Sequence, residues 1–173
     1  MQDMARGQKI TSAATSLNQV PRLFRAVPLA RGSINLDVGG GKYDKATDYL
    51  HSLGVHNFVW DPYNRSDEHN DRVYDLLVVG SFADTATLSN VLNVIQHKRD
   101  RIAALAVARQ SVGSTGVCYI TVYEGDRSGK GKKTSKGFQL NRPVKSYVSE
   151  VKEVFRLVDV IRGGIIVARD PKD

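Results

Sequence analysis

The chain has 173 residues, 41% hydrophobic and 25% charged, which is the composition of a soluble globular protein long enough to form one ordinary domain. A single cysteine, Cys118, excludes an internal disulfide and a cysteine-rich zinc site, and no apolar run approaches the roughly 20 residues that cross a bilayer. The net charge of +7 is unevenly distributed, with −5 on residues 32–95 and +5 on residues 121–145. The acidic region suits a neutral or cationic ligand and the basic region an anionic one. The alternative is that the basic charge serves solubility alone.

The amino-terminal region is predicted in two parts. Residues 1–12 have the composition of a disordered segment, and residues 13–173 are predicted to form a single domain. The first residues have no apolar core of the kind found in signal peptides, so we expect a cytoplasmic protein. In residues 13–27 apolar side chains recur at helical intervals, which predicts a helix with Pro21 near its start or at a break.

The next segments alternate between strand and helix patterns. A short β-type run, Ile34–Val38, ends at three glycines, and residues 44–53 follow with helical spacing. Residues 56–61 predict a second strand, which ends at the turn-forming sequence DPYN. Residues 66–79 fit both a helix and a strand, and the helix is favoured because Ser66 is a good N-cap followed by acidic residues.

The second half of the chain continues this alternation. Strands are predicted over residues 84–89 and 117–123, with a helix over residues 98–112 between them. Residues 124–142 are glycine-rich and basic and show no periodicity, which predicts a long loop.

The carboxyl-terminal region predicts a helix over residues 143–155 and an antiparallel hairpin from residues 156–161 and 164–169. Strands alternating with helices imply right-handed crossovers. The predicted fold is therefore α/β, a three-layer α/β/α sandwich with a mostly parallel twisted sheet that ends in an antiparallel β-hairpin. In such sheets ligands bind beyond the carboxyl ends of the strands, and the three glycines, Asp61 and Asn90 all follow predicted strands.

The three consecutive glycines after the first strand do not fit the two common phosphate-binding motifs. A dinucleotide fingerprint needs a glycine at its sixth place, where this chain has Asp44, and a Walker loop needs Ser or Thr where Tyr43 stands. The pattern Asp37-x-Gly39-x-Gly41 at the end of a first strand instead resembles motif I of class I S-adenosylmethionine-dependent methyltransferases. A tight turn without a ligand is the alternative interpretation.

This resemblance implies S-adenosylmethionine as the cofactor, with Asp37 near its ammonium or sulfonium end. The residues whose backbone would approach the methionine and adenosyl parts are Gly39, Gly40, Gly41 and Lys42. The family usually has a third glycine where this chain has Tyr43, and this is a departure from its pattern.

Asp61 lies about 20 residues beyond the glycines, at the end of the second predicted strand. An acid at this place can accept hydrogen bonds from both ribose hydroxyls in nucleotide-binding α/β folds, and the resembled family has its motif II acid there. Pro62 and Tyr63 follow in the same turn, and Tyr63 packs either near the adenine or in the core. DPYN also resembles the Asp/Asn-Pro-Pro-Tyr motif of nucleic-acid amino-methyltransferases, but it lacks the second proline and follows the second strand instead of the fourth.

The segment ADTATLSNVLNVI is similar to the family's fourth strand, which begins with an acid and ends at a small polar residue beside the reacting methyl. The similarity implies that Ser89 and Asn90 contribute to the cofactor site and that Asn90 and Asn93 position the substrate. The alternative is that the two asparagines cap the following helix. The four histidines show no metal-ligand spacing, so no metal site is predicted, and Cys118 within a strand is predicted to be a buried, inert thiol.

The basic segment over residues 124–142 is a candidate substrate surface. Its cations can neutralise phosphates, its glycines allow close approach, and Tyr123 and Phe138 offer stacking faces for bases. The predicted contacts are Arg127, Lys130, Lys132, Lys133, Lys136 and Arg142. A mobile, solvated loop is the alternative interpretation.

These motifs occur in the family's order over residues 30–169. The resemblance therefore implies an S-adenosylmethionine-dependent methyltransferase that acts on a nucleic acid, RNA or DNA, or on another anionic substrate. Two alternatives stay open: a non-catalytic Rossmann-like module that binds nucleic acid or protein, and an enzyme that uses S-adenosylmethionine without transferring methyl. No membrane partner is expected, and a homo-oligomer or a protein partner stays open.

Overall fold

The computed structural model describes residues 19–135 and 137–172. The predicted disorder of residues 1–12 and the first part of the helix predicted over residues 13–27 therefore lie outside the described residues. In chain order the elements are α1 (Leu23–Ala26), β1 (Ile34–Val38), α2 (Lys45–Ser52), β2 (His56–Trp60), α3 (Asp67–Val73), a π-helix (Tyr74–Val79), β3 (Thr85–Ser89), α4 (Lys98–Val112), β4 (Val117–Thr121), β5 (Gly131–Thr134), β6 (Gly137–Leu140), a 3-10 helix (Val144–Tyr147), α5 (Val148–Val151), β7 (Phe155–Ile161) and β8 (Ile165–Pro171).

Six strands form the main sheet in the order β2-β1-β3-β4-β8-β7. The strands β2, β1, β3 and β4 run parallel, whereas β8 is antiparallel to β4 and β7 is antiparallel to β8. The predicted α/β fold, with a mostly parallel sheet and a terminal antiparallel hairpin, is thus confirmed. No helix among residues 19–135 and 137–172 is long and apolar enough to cross a membrane.

One face of the sheet carries the main hydrophobic core. Alternate residues of the three central parallel strands point to this face and are fully buried, among them Leu36, Leu88 and Ile120. The long helix α4 packs across β1, β3 and β4 on this side, and the π-helix packs against α4. The alternation of apolar residues along each strand therefore builds a continuous layer under one set of helices.

The opposite face of the sheet is polar at its centre and fully hydrogen-bonded. Asn35 Nδ2 donates to Asn57 Oδ1 at 2.7 Å and to Thr87 Oγ1 at 3.0 Å. Thr85 Oγ1 donates to Asn35 Oδ1 at 2.8 Å, and Asn57 Nδ2 donates to Thr47 Oγ1 of α2 at 2.8 Å. Because a one-residue slip would move apolar side chains into this network and polar ones into the core, the two faces together fix the register of the central strands.

The segment that fitted both a helix and a strand, residues 66–79, is helical, as favoured from the sequence. Ser66 Oγ accepts a hydrogen bond from His69 N at 3.2 Å and so begins α3, and the chain continues into the π-helix. His69 Nε2 in turn donates to Val59 O at 2.8 Å, which satisfies a carbonyl of the edge strand β2.

The prediction of a structureless loop over residues 124–142 was wrong. Strands β5 and β6 pair there as an antiparallel hairpin, with Lys133 opposite Phe138. Main-chain hydrogen bonds carry the pairing, and the Phe138 ring lies directly over Gly131, where any Cβ would collide with it. Because β5 (GKKT) carries no apolar side chain, the segment shows no apolar alternation, and periodicity could not reveal the hairpin.

Two helix predictions were also wrong in extent. The helix predicted over residues 143–155 consists of a 3-10 turn and α5 and ends at Val151, while Phe155 begins β7 and is fully buried in the sheet. Within the described part of residues 13–27, only Leu23–Ala26 is helical. In both places apolar side chains follow the helical spacing, but burial against the sheet decides the backbone conformation.

A buried ion cluster joins the base of the β5-β6 hairpin to α4 and α5. The Glu150 carboxylate accepts hydrogen bonds from Arg101 Nε at 2.8 Å, from Arg101 Nη2 at 2.9 Å and from Arg142 Nη2 at 2.6 Å. The Arg142 guanidinium lies 3.7 Å from the centre of the Tyr147 ring. Burial opposes the ionisation of Glu150, but the hydrogen bonds from the two arginines outweigh it and lower the pKa of this carboxyl.

Replacement of Glu150 by alanine tests how much this cluster stabilises the fold. The substitution leaves the Arg101 guanidinium, whose side chain is 6% exposed, without its counter-charge. We expect Glu150→Ala to lower the free energy of unfolding by about 3–5 kcal/mol, measured by urea unfolding. The matched control is Glu68→Ala, which breaks an exposed ion pair with Arg72 and is expected to cost less than about 1 kcal/mol. Equal losses in the two variants would contradict a structural role for the cluster.

Candidate functional site

A cavity of about 570 Å³ opens at the carboxyl ends of β1, β2 and β3. Its walls come from the glycine turn after β1, the turn after β2, the segment after β3 and the β5-β6 hairpin. The sequence-predicted site residues that line it are Gly39, Gly41, Asp61, Pro62, Tyr63, Ser89, Asn90 and Asn93. The other residues predicted for the cofactor are outside this lining: Gly40 lies within the glycine turn, Lys42 directly follows it, and Asp37 is buried beneath it. The cavity has the size of an ordinary small-molecule site.

The glycine turn is packed too closely for any side chain. Gly39 has φ of +76° and Gly41 has φ of +81°, in the left-handed region that favours glycine. A Cβ on Gly39 would lie 2.7 Å from a Val91 methyl, and one on Gly40 would collide with the Asp37 carboxylate. The turn itself therefore requires glycine, and it also brings bare backbone to the cavity wall.

Asp61 fixes the glycine turn to the turn that follows β2. Its Oδ2 accepts hydrogen bonds from Gly41 N at 2.8 Å and from Asn64 Nδ2 at 3.0 Å, and its Oδ1 accepts from Tyr63 N at 3.0 Å and Asn64 N at 3.1 Å. The side chain is almost fully buried. Asp61 thus organises both loops, a role that its predicted place at the end of β2 did not reveal.

Two residues that sequence reasoning missed complete this arrangement. Arg65 Nε donates to Gly41 O at 2.7 Å, so both backbone polar atoms of Gly41 are held from the turn after β2. Asn70 Oδ1 accepts from Asp61 N at 2.8 Å, and Asn70 Nδ2 donates to Asp61 O at 3.0 Å. No motif points to these residues, because their partners are main-chain atoms brought close only by the fold.

Asp37 lies beneath the glycine turn and is 2% exposed. Burial raises the pKa of this carboxyl to about 7. A hydrogen bond from Thr87 Oγ1 at 3.2 Å and the positive charge of Arg65 oppose this rise, while the negative charge of Asp61 adds to it. The side chain supports the turn from below. Its predicted contact with the cofactor's cationic end stays a prediction.

The pKa of Asp37 makes stability depend on pH. Between about pH 4 and pH 7 the folded state keeps a proton that the unfolded state releases, so the free energy of unfolding falls as pH rises through this range. Relative to Asp37→Asn, we expect a fall of about 1.4 kcal/mol per pH unit, with no further change above the folded-state pKa. Urea unfolding of both proteins at several pH values measures this. A difference that does not vary with pH would contradict a protonated, buried Asp37.

The segment after β3 brings the two predicted asparagines to the cavity in different ways. Asn90 is exposed and has φ of +59°, which asparagine tolerates, and its N–H donates to Thr121 O at 2.9 Å. Asn93 is 2% exposed, and its Nδ2 donates to Gln139 Oε1 at 3.0 Å. Neither caps the next helix, because α4 begins after His97. The capping alternative is therefore wrong.

The cations predicted as substrate contacts differ in their exposure and in their pairing with acidic residues. Lys130, Lys132 and Lys133 are exposed along β5 and just before it, while Arg127 pairs with Glu124 at 2.6 Å. Arg142, also predicted as a substrate contact, is half-buried in the Glu150 cluster, so the structure does not bring it together with the lysines. Lys136 lies outside the described residues.

Aromatic and acidic side chains complete the cavity. Tyr123 and Phe138 both line it, and the Tyr123 ring is 63% exposed. Asp100, in the first turn of α4, also lines it and was missed, although an acid in the first turn of a predicted helix was a visible signal. Burial, followed by the negative charges of Asp100 and Asp61, raises the pKa of Tyr63. Two carboxylates of the cavity wall, those of Asp61 and Asp100, therefore act on the Tyr63 hydroxyl.

Metal binding has no support in the described part of the chain, where no group of three or more His, Cys, Asp or Glu side chains is arranged to hold an ion. Cys118 is fully buried, and burial raises the pKa of its thiol. The thiol is thus kept protonated at neutral pH, which agrees with the prediction of an inert side chain.

Comparison with known proteins identifies similar folds but no family for this sequence. No protein-family model matches the sequence, and no curated protein matches it significantly. Among solved structures, human N-acetylserotonin methyltransferase in complex with SAM is 17% identical, with a TM-score of 0.60 over 87% of this chain and 51% of that one. The chain therefore spans about half the length of the human enzyme.

Two further structures are similar over most of this chain. A sugar N-methyltransferase from Streptoalloteichus is 13% identical, with a TM-score of 0.52 over 93% of this chain and 90% of that one. CalO1, a methyltransferase in calicheamicin biosynthesis, in its SAH-bound form, is 17% identical, with a TM-score of 0.52 over 91% of this chain and 53% of that one. Together with the strand order and the terminal hairpin, these likenesses show that the chain has the class I methyltransferase fold.

Proposed function

We propose that the protein is an S-adenosylmethionine-dependent methyltransferase and that its substrate is a nucleic acid held by the β5-β6 hairpin. The observation that carries the proposal is the position of the cavity. It lies at the carboxyl ends of the parallel strands, between a closely packed glycine turn and a hairpin with exposed lysines. In open α/β sheets this is the place where nucleotide-like ligands bind.

The residues present fit S-adenosylmethionine. The volume of about 570 Å³ suits a ligand of this size, and the carboxylates of Asp61 and Asp100 favour a ligand with a positive centre. Glycine backbone from Gly39 and Gly41 would lie against the cofactor, with Tyr63 beside it. Among the hydrogen bonds to Asp61 described above, that from Asn64 Nδ2 comes from a side chain, so a ribose hydroxyl can take its place while the backbone donors keep the turn.

The cofactor, when bound, supplies a methyl group on a sulfonium, and the acceptor's lone pair forms the new bond to carbon as the old bond's electrons stay on sulfur. Methyl transfer of this kind depends mainly on holding the acceptor in line. Asn90 and Asn93, which line the cavity after β3, are the residues of this chain that we expect to position the acceptor. No general base is required where the acceptor is already nucleophilic, and its proton then leaves to water.

The nucleic-acid substrate is supported by the charge on the hairpin. Lys130, Lys132 and Lys133 are exposed on an element that also contributes Phe138 to the cavity wall. Exposed lysines beside aromatic faces are the combination with which proteins hold single-stranded nucleic acid. A strand bound along the hairpin would thus have its bases next to the cavity.

Calorimetric titration tests the cofactor site. We expect the protein to bind S-adenosylmethionine and S-adenosylhomocysteine, and Asp61→Ala to weaken both by roughly tenfold to a hundredfold, because the variant loses a hydrogen bond to a charged group and the carboxylate that joins the two turns. The control is Asp67→Ala, an exposed acid on α3 that should leave the affinity unchanged. Circular dichroism checks that both variants are folded.

The outcomes of this titration separate the candidate functions. If the wild-type protein binds neither S-adenosylmethionine nor S-adenosylhomocysteine, the methyltransferase proposal is contradicted and a non-catalytic binding module is favoured. Binding without transfer of labelled methyl to RNA, DNA or a metabolite pool would favour an enzyme that uses S-adenosylmethionine in another way. Transfer to one of these pools identifies the class of acceptor.

Neutralisation of the hairpin lysines tests the substrate surface. The triple variant Lys130→Gln, Lys132→Gln, Lys133→Gln removes three phosphate contacts, so the slope of log affinity against log salt for single-stranded nucleic acid should shrink by about 2. The control removes the same charge elsewhere, from the exposed side chains Lys45, Lys152 and Arg162. The salt slope is obtained from anisotropy titrations at several salt concentrations, and an equal slope in the two triple variants would refute phosphate contact by the hairpin.

A further inference from the structure

Asn93 connects the segment after β3 to the β5-β6 hairpin through two hydrogen bonds. Its backbone carbonyl accepts from Leu140 N at 2.7 Å. Its side-chain Nδ2 donates to Gln139 Oε1 at 3.0 Å. The residue is thus held to the hairpin by both main chain and side chain, and it lines the cavity.

The orientation of the Asn93 amide is set by Gln139. Gln139 Nε2 donates to Tyr123 O at 3.0 Å and to Leu140 O at 2.9 Å, and only the amide nitrogen can make these two bonds. The Gln139 oxygen must therefore face Asn93, and Asn93 must present its nitrogen to it. The remaining atom, Asn93 Oδ1, is directed away from Gln139.

Asn93 Oδ1 is buried and accepts no hydrogen bond within the described part of the chain. Buried side-chain oxygens in proteins nearly always have a donor, and for one that lacks it in a residue on a cavity wall, a ligand that enters the cavity can bring the donor in place of a water. A carbonyl, a phosphate or an unprotonated ring nitrogen cannot serve, because each of them is itself an acceptor. The missing partner is therefore an N–H or O–H group.

The surroundings of Asn93 narrow the kind of ligand. Tyr123, which is 63% exposed, and Phe138 line the same cavity. Phe138 precedes Gln139 in β6, and the Tyr123 carbonyl accepts a hydrogen bond from Gln139 Nε2. Flat aromatic faces favour a planar ring, and unpaired nucleobases in protein pockets are held by stacking together with hydrogen bonds to their edges. A planar ring that carries an N–H donor at its edge satisfies both the acceptor and the aromatic side chains.

We propose that Asn93 Oδ1 accepts a hydrogen bond from the exocyclic amino group of an unpaired nucleobase that enters the cavity and stacks on Tyr123 and Phe138. Gln139 is a positioning residue, which acts by holding the Asn93 oxygen toward the base. The inference rests on the nucleic-acid substrate proposed above and names the feature of the base that is read. It does not depend on methyl transfer, so the two proposals fail separately.

The experiment measures binding of single-stranded DNA oligonucleotides of about twelve nucleotides by fluorescence anisotropy. Each is a thymine strand with one central base, which is adenine, purine without the amino group, cytosine, or 2-pyrimidinone without the amino group. Titrations are run with and without S-adenosylhomocysteine. The readout is the ratio of the affinities for the two bases of each pair, adenine with purine and cytosine with 2-pyrimidinone. A variant that binds all strands more weakly leaves this ratio unchanged.

For the wild-type protein we expect the amino-bearing base of at least one pair to bind about fivefold more tightly than its partner, the effect of one buried hydrogen bond. Asn93→Ala and Gln139→Ala should both bring this ratio close to one. The control Gln110→Ala removes a similar amide from the exposed end of α4 and should keep the wild-type ratio. Gln139 is only partly buried, so its variant tests the proposal even if Asn93→Ala does not fold.

Three outcomes would overturn the inference. The first is a wild-type ratio close to one for both pairs, and the second is a ratio that persists in folded Asn93→Ala or Gln139→Ala. The third is an unchanged ratio together with weaker S-adenosylhomocysteine binding in Asn93→Ala, which would assign the Asn93 oxygen to the cofactor's own adenine amino group. If the wild-type protein shows the expected ratio of affinities within a pair of bases but does not bind S-adenosylhomocysteine, only the methyltransferase function is contradicted.

Discussion

The hydrogen bond from Gly41 N to Asp61 Oδ2, 2.8 Å long, is the contact on which the site depends. It joins the turn after β1 to the turn after β2, and these two turns form adjacent walls of the cavity. The glycine turn has little to stabilise it internally, since two of its residues adopt left-handed conformations and none has a side chain. A buried carboxylate that accepts from backbone donors in both loops holds such a turn in one shape. Asp61 can do this only because Asn70 fixes its own backbone in turn.

Two buried polar systems support the cavity from opposite sides of the fold. Beneath the glycine turn, the network through Asn35 and Thr87 reaches Asp37 and sets the register of the central strands. Beneath the hairpin, Glu150 holds Arg101 and Arg142 and so attaches β6 to the helical layer. Each system is costly to bury unless it is hydrogen-bonded, and each is satisfied mainly by side chains from distant segments. Hydrogen-bonded side chains therefore join two walls of the cavity to the core, while the hairpin carries its exposed lysines.

The sequence predicted those parts of the fold that depend on local pattern. The short β-type runs predicted β1 to β4, the Ser66 cap predicted α3, and the pair of apolar runs at the end predicted β7 and β8. Asp61 was found because an acid at the end of a second strand is a positional signal. The roles of Arg65, Asn70 and Gln139 in the site were not predictable, because each depends on a partner that is distant in the sequence, respectively Gly41 O, Asp61 O and the Asn93 amide. The hairpin was missed for a related reason, since Gly131 allows Phe138 to pack without any alternation in the sequence.

The distribution of charge over the site restricts what can enter it. Asp61 and Asp100 place two carboxylates on the cavity wall, the second of them paired with Arg99 at 3.3 Å, whereas the lysines lie exposed on the hairpin. A phosphate moving inward would leave the lysines and approach two carboxylates in a partly desolvated space, where charges are screened less than in water. A neutral base or a ligand with a positive centre meets no such barrier. Under the proposed function, a polyanion held at the hairpin would keep its backbone there and present its uncharged parts to the cavity, which is the selection that an acceptor such as the Asn93 oxygen requires.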